Sequence, residues 1–156
     1  MKRRPALAAV LLLPLAARAQ PGMDRPQPRL PVETLVVLSR GRRVPFRVEM
    51  AVTPETQMIG IMFRTAMEPD EGMLFDWGSP RESAMWMRNT LIPLDMLFIA
   101  ADGRIHRIHD RATPQSLATI ESRGPVRATL ELQGGASERF DLRVGDRAEH
   151  RIFGRA

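Results

Sequence analysis

Val44-Pro45-Phe46-Arg47-Val48-Glu49-Met50-Ala51-Val52 alternates with a period of two, placing Phe46, Val48, Met50 and Val52 on one face and Arg47 and Glu49 on the other. Successive side chains of a strand point to opposite sides, so this pattern predicts a half-buried β-strand. Before it, Thr34 to Ser39 is a short apolar run, joined through the turn Ser39-Arg40-Gly41-Arg42. After it, Thr53-Pro54 supplies a helix N-cap and a proline at the first helical position. That helix is expected to run to Ile61 or Met62, with Met58, Ile59 and Met62 as its apolar stripe.

Further along, short strands are predicted at Met73 to Asp76 and Glu82 to Met87, separated by Gly78-Ser79-Pro80. Leu94 to Ile99 is apolar apart from Asp95 and leads into Asp102-Gly103, a strong hairpin signal between two strand-like runs. The second arm, Arg104 to His109, has its apolar residues three apart, which predicts a bulge or twist. Val126, Ala128, Leu130 and Leu132 alternate with Arg127, Thr129 and Glu131, giving another strand. A short helix is expected over Ala136 to Phe140 after Gly134-Gly135, and a last strand near Ala148 to Phe153. Long crossover helices do not alternate with these strands, so a doubly wound sheet is excluded. The expected fold is mainly β (α+β): a compact, mainly antiparallel β-sandwich or barrel with one or two short helices.

The N-terminus reads as an address. Lys2, Arg3 and Arg4 precede the apolar stretch Ala6 to Ala17, and Ala17-Arg18-Ala19 is a small-x-small cleavage site. Residues 1–19 are therefore expected to be a signal peptide cleaved after Ala19, residues 20–32 a proline-rich mobile linker, and residues 33–156 a single globular domain. The apolar stretch is too short to span a bilayer, which needs about 20 residues, so the mature chain is expected to be periplasmic or secreted, without a transmembrane segment. Cleavage removes four of the 23 basic residues and none of the 18 acidic ones, leaving a formal charge near +1. The remaining arginines are interleaved with Asp and Glu, which argues against a nucleic-acid footprint. With no cysteine, thiol nucleophiles and thiolate metal sites are ruled out, and the domain must stand on its core alone.

Met85-Trp86-Met87-Arg88-Asn89-Thr90-Leu91-Ile92-Pro93-Leu94-Asp95 concentrates the chemistry: two thioethers, an indole, an amide, a hydroxyl and a carboxylate. Together with Gly60-Ile61-Met62-Phe63-Arg64 and Gly72-Met73-Leu74-Phe75, this block resembles the family known as domain of unknown function 192. Glu131 and Gly135 fit the same pattern more loosely. Ile61 stands where the family often has leucine, and Gln133-Gly134 where it usually has a residue plus alanine. The resemblance implies a small β sandwich or barrel and carries no established activity.

A carboxylate on an apolar strand face needs a partner, because an unpaired buried charge costs several kcal/mol. For Asp95 the expected partner is Arg64, then Arg88. Alternatively, Asn89 and Thr90 shape a turn and Asp95 accepts backbone N–H groups. The preferred reading is a non-catalytic domain binding a small polar ligand or a segment of an envelope protein, without cofactor or resident metal. Trp86 and Met87 would supply apolar wall, Asn89, Thr90 and Asp95 polar contacts, and Arg64 would position the carboxylate.

Two other classes stay open. Eight of ten methionines lie between Met50 and Met96, and soft thioethers select Cu(I), so Met85 and Met87, joined by Met58, Met62 or a histidine, could bind copper; methionine also fills irregular gaps in small cores. His106 and His109 would face opposite sides of a regular strand and could not chelate together. Asp95 and Glu131 could act as acid and base in a hydrolase of envelope saccharides. The chain has no Gly-x-Ser-x-Gly elbow, no His-Glu-x-x-His and no glycine-rich phosphate cradle.

Overall fold

The computed structural model describes residues 23–154. The signal peptide predicted for residues 1–19 and the first residues of the linker lie outside them. β1 (Val32–Ser39) and β2 (Arg42–Ala51) form the predicted hairpin. Arg40 and Gly41 at its turn both have positive φ, the backbone that matches the twist of two-residue hairpins. Thr53 then caps α1 (Pro54–Ile59), its hydroxyl accepting the Thr56 N–H. The helix ends two or three residues earlier than expected, because Gly60 turns out of it at φ 52°.

After α1 the chain returns in β3 (Glu71–Arg81), which lies parallel to β2, with Met50 opposite Leu74. The two strands expected at 73–87 are replaced by this long β3 and a two-residue β4 (Ala84–Met85). Gly78 and Pro80 are absorbed within β3 because its far end is exposed and paired only at Arg81. β5 (Leu94–Ile99) and β6 (Ile105–Ala112) form the Asp102-Gly103 hairpin, with the register shifts that the isoleucine spacing predicted. β7 (Ile120–Glu121) pairs with β4 in a small second sheet. β8 (Val126–Gln133), α2 (Ala136–Arg139) and β9 (Arg147–Glu149) complete the elements, with a single 3-10 turn at Arg151–Phe153 after β9.

The main sheet runs β6-β5-β8-β3-β2-β1-β9. It is seven-stranded, mixed through the β2–β3 pair, and does not close into a barrel. The molecule is mainly β and sandwich-like, because both faces of the sheet are covered. On one face Leu35, Phe46, Val48, Leu97, Leu130 and Leu132 pack beneath α2, Phe140 and Ile152. On the other, Met73, Phe75, Met96 and Phe98 pack beneath Ile61, Met67, Met85 and Met87. Two-sided cover overturns one expectation: Glu49 and Glu131, read as members of polar strand faces, are 2% and 4% exposed. The linker is also held. Gln27 donates to the Thr56 and Gly60 carbonyls at 3.1 and 2.9 Å, and the Leu30 N–H donates to Glu49 at 2.8 Å.

Asp95 belongs to the α2 side. Its carboxylate accepts the backbone N–H groups of Arg111 and Gly135 at 2.8 Å each and of Ser137 at 2.7 Å, tying β6 and the start of α2 to β5. Each buried donor left unpaired costs about 1–3 kcal/mol. Asp95→Ala is therefore expected to lose roughly 3 kcal/mol or more of stability, a fall in Tm of about 10 °C. Thermal unfolding checks this, and a Tm unchanged by the substitution would show the three donors to be satisfied otherwise.

Candidate functional site

The cover over the methionine-rich face is incomplete, and the gap is a cleft of about 450 Å³. One wall is α1 and its continuation: Gln57, Met58, Gly60, Ile61 and Met62. None of the residues of α1 is buried, since its stripe faces this opening instead of the core. A Cβ at Gly60 would sit 3.0 Å from the Phe75 ring, so glycine there serves both the positive φ and the close approach to β3. The opposite wall carries Phe75, Trp77 and Arg81 from β3, then Met85 and Trp86. The Phe75 and Trp77 rings lie 5.7 Å apart, and Trp77 Nε1 donates to the Thr129 hydroxyl at 3.2 Å.

Thr90 and Glu131 complete the lining. Glu131 lies in the middle of β8, opposite Met73 on β3 and Met96 on β5, both fully buried. Residues directly opposite in antiparallel strands share a face, so its carboxyl stands among thioethers. No side-chain hydrogen bond among the described residues involves it. Burial pushes the carboxyl up to about 8, against the pull of the Arg64 guanidinium. Burial thus favours the neutral carboxyl, a hydrogen-bond donor facing the cleft.

The residues singled out in the sequence divide among several duties. Thr90 lines the cleft, its hydroxyl donating only a long 3.3 Å bond to the Arg88 carbonyl. Trp86 forms the rim, 43% exposed, with the Arg88 guanidinium 5.5 Å from its ring centre. Met87 is wholly inside the core. Asn89 shapes the turn: it has φ 54°, its carbonyl accepts the Phe63 N–H at 2.8 Å, and its amide reaches the Met62 sulfur at 3.9 Å. Asp95 faces the opposite side of the sheet.

Arg64 corrects the expected pairing. It grips Glu49, not Asp95, through two bonds of 2.6 and 2.9 Å. The reason is topological, because Arg64 lies over the methionine-rich face and the Asp95 carboxylate projects from the other. Glu49 also accepts from Arg29 at 2.7 Å and from the Leu30 N–H. Burial pushes its carboxyl up, but these donors outweigh burial and hold it at about 2. The same topology separates Asp95 from Glu131, so the two cannot flank one substrate as acid and base. Met85 lines the cleft, whereas Met87 has no exposure.

A larger hollow of about 590 Å³ borders β9 around His150. There Glu149 is held by Arg43 at 2.9 Å and Arg151 by Glu33 at 2.6 Å. Burial lowers the His150 imidazole below its ordinary range despite the nearby Glu33. Its other charged groups are largely engaged with each other, and both ring nitrogens of His150 are buried without a hydrogen bond among the described residues. Sequence reasoning missed the wall residues Trp77 and Arg81, gave Met62 only as helix stripe and copper ligand, and placed Glu131 only as a loose pattern match and a hydrolase partner of Asp95. The available signal was an acid between Leu130 and Leu132 in a strand whose neighbours are apolar.

The family model DUF192, described as an uncharacterised ACR, matches residues 35–150. Two crystal structures are similar to this one. A protein from Sinorhizobium meliloti 1021, described as a candidate transcription regulator, is 46% identical with a TM-score of 0.77, over 79% of this chain and 96% of that one. A protein of unknown function from Novosphingobium aromaticivorans DSM 12444 is 34% identical with a TM-score of 0.75, over 92% and 94%. No curated protein matches the chain.

The raised pKa of Glu131 has a consequence for stability. An acid whose folded pKa exceeds its unfolded value favours folding while protonated in both states, and that contribution is lost as pH rises from about 4.5 to about 8. Glu131→Gln is expected to match the parent near pH 4 and to exceed its stability above pH 8, by on the order of 3 kcal/mol or more. Chemical denaturation at the two pH values measures the gap; a difference independent of pH would place the carboxylate in a solvated setting.

Proposed function

This chain belongs to the DUF192 family, and we propose that it is a non-catalytic binding domain holding a small polar ligand, or a short segment of a partner, in the cleft between α1 and β3. The observation that carries this reading is Glu131: a buried carboxyl with no hydrogen-bond partner, turned toward open space. At the cleft its partner is solvent or a ligand atom, and a ligand that displaces the solvent must supply the hydrogen bond in its place. Around it, Ile61, Met62, Phe75, Trp77, Met85 and Trp86 supply apolar wall, and Thr90 adds a hydroxyl. Concave, mostly apolar surfaces with few polar groups are the usual form of small-molecule sites.

The saccharide-hydrolase reading needs two carboxyl groups flanking one bond, and Asp95 is committed to backbone on the other face. The description of the Sinorhizobium protein raises regulation of transcription. Here exposed arginines pair with carboxylates at scattered places, Arg43 with Glu149, Arg47 with Asp70 and Arg143 with Asp141, which does not favour a nucleic-acid face. We infer an exported protein of the cell envelope or exterior from Lys2 to Ala19 of the sequence.

Thermal unfolding against a metabolite panel tests the cleft. A ligand at 100 times its Kd should add roughly 2.7 kcal/mol. Trp86→Ala and Thr90→Val are each expected to remove most of that gain, whereas Asn89→Ala should alter stability more than binding. A gain that survives intact in the first two variants would put the ligand elsewhere.

A further inference from the structure

The cleft has two ionisable side chains in its lining, and they sit at different depths. Glu131 is at the buried floor; Arg81, at the end of β3, is exposed at the mouth. The Arg81 guanidinium lies 4.5 Å from the Trp77 ring centre and has no carboxylate partner among the described residues. We propose that the ligand is a small organic acid, with an apolar or aromatic body, whose carboxylate pairs with Arg81 and whose inner oxygen accepts a hydrogen bond from the Glu131 carboxyl. This rests on the cleft being the binding site.

The competing ligand is an amine that would pair with an ionised Glu131. Three observations weigh against it. Burial and the apolar neighbours Met73 and Met96 favour the neutral carboxyl. The faces of both indoles, where an ammonium group would gain most, already carry guanidinium groups, Arg81 on Trp77 and Arg88 on Trp86. The cation that faces an incoming ligand is Arg81 on β3, since Arg64, whose field reaches Glu131, lies outside the lining and is paired with Glu49. From β5, Glu131 meets Met96, since Asp95 turns to the opposite face.

The chain has two tryptophans and no tyrosine, and both tryptophans line the cleft, so tryptophan emission reports occupancy directly. The probes are 4-hydroxyphenylacetate and tyramine, which share a phenol and differ in terminal charge. The acid is expected to change the emission saturably near neutral pH and to bind more tightly than the amine. Its affinity should fall about tenfold between pH 7 and pH 9, as a carboxyl with pKa of about 8 ionises. In Glu131→Gln that fall should disappear, and Arg81→Gln should weaken the acid without affecting p-cresol, the uncharged analogue.

Preference for tyramine, or affinity that rises with pH, would overturn the proposal. If neither probe binds while a panel metabolite still moves the emission, the organic-acid class fails and the cleft stands. If nothing moves the emission, both readings fail.

Discussion

The bidentate pair between Arg64 and Glu49 is the constraint on which the site depends. The segment from Ile61 to Met67 has no ladder of its own: its backbone bonds are the short turns Met62 to Ile59 and Arg64 to Ile61, plus Phe63 to the Asn89 carbonyl. A covering layer so poorly bonded needs another attachment to the sheet. Arg64 supplies it from above, and Glu49, in the middle of β2, receives it. Buried ion pairs seldom stabilise more than apolar groups of the same shape. What this one adds is position, because a guanidinium fork and a carboxylate fix distance and angle together.

With that cover fixed, the residues after Trp86 can be divided between packing and opening. Met87 closes the core, Asn89 takes a left-handed backbone and fastens Phe63, and Thr90 is left beside the cleft. Asp95 acts across the sheet, where three backbone donors converge on it as they would on a helix-capping side chain. One short block thus serves both faces of the sandwich, so its density of polar groups does not amount to one converging site. The methionines follow the same logic. Met67, Met73, Met85, Met87 and Met96 share the irregular second core, where an unbranched side chain can fill uneven gaps.

The strands were legible where a single physical pattern governs them. The alternation of β2 and β8, the Asp102-Gly103 hairpin with its bulges and the Thr53 cap all stand in the structure near their expected places. The length of β3 was not legible, since Gly78 and Pro80 signal a break and only the sheet edge tolerates them. The parallel pairing of β2 with β3 was hidden too, because a six-residue helix is a poor advertisement for a crossover. Glu131 was the most consequential misreading. Alternation tells which residues share a face, but it cannot tell whether that face meets water or a second layer. That depends on the cover, and the cover is the least regular part of the chain.

Glu49 and Glu131 make the point quantitatively. Both are buried acids on the same face of the same sheet, and Arg64 lies within reach of the field of each. One is held at about 2 and the other rises to about 8. Burial pushes both upward, further for the deeper Glu131, and the donors widen the difference. Glu49 collects two guanidinium groups and a backbone N–H, and Glu131 collects none. Arg64 turns both terminal nitrogens to Glu49 and makes no bond to Glu131, and the link from α1 to β3 places it over β2. Satisfying the first acid therefore leaves the second unpaired. An unpaired acid beneath a sealed cover would be a pure cost, readily relieved by an apolar side chain of similar size. Beneath an opening it can meet solvent or a ligand, and the cover of this molecule is open at that point.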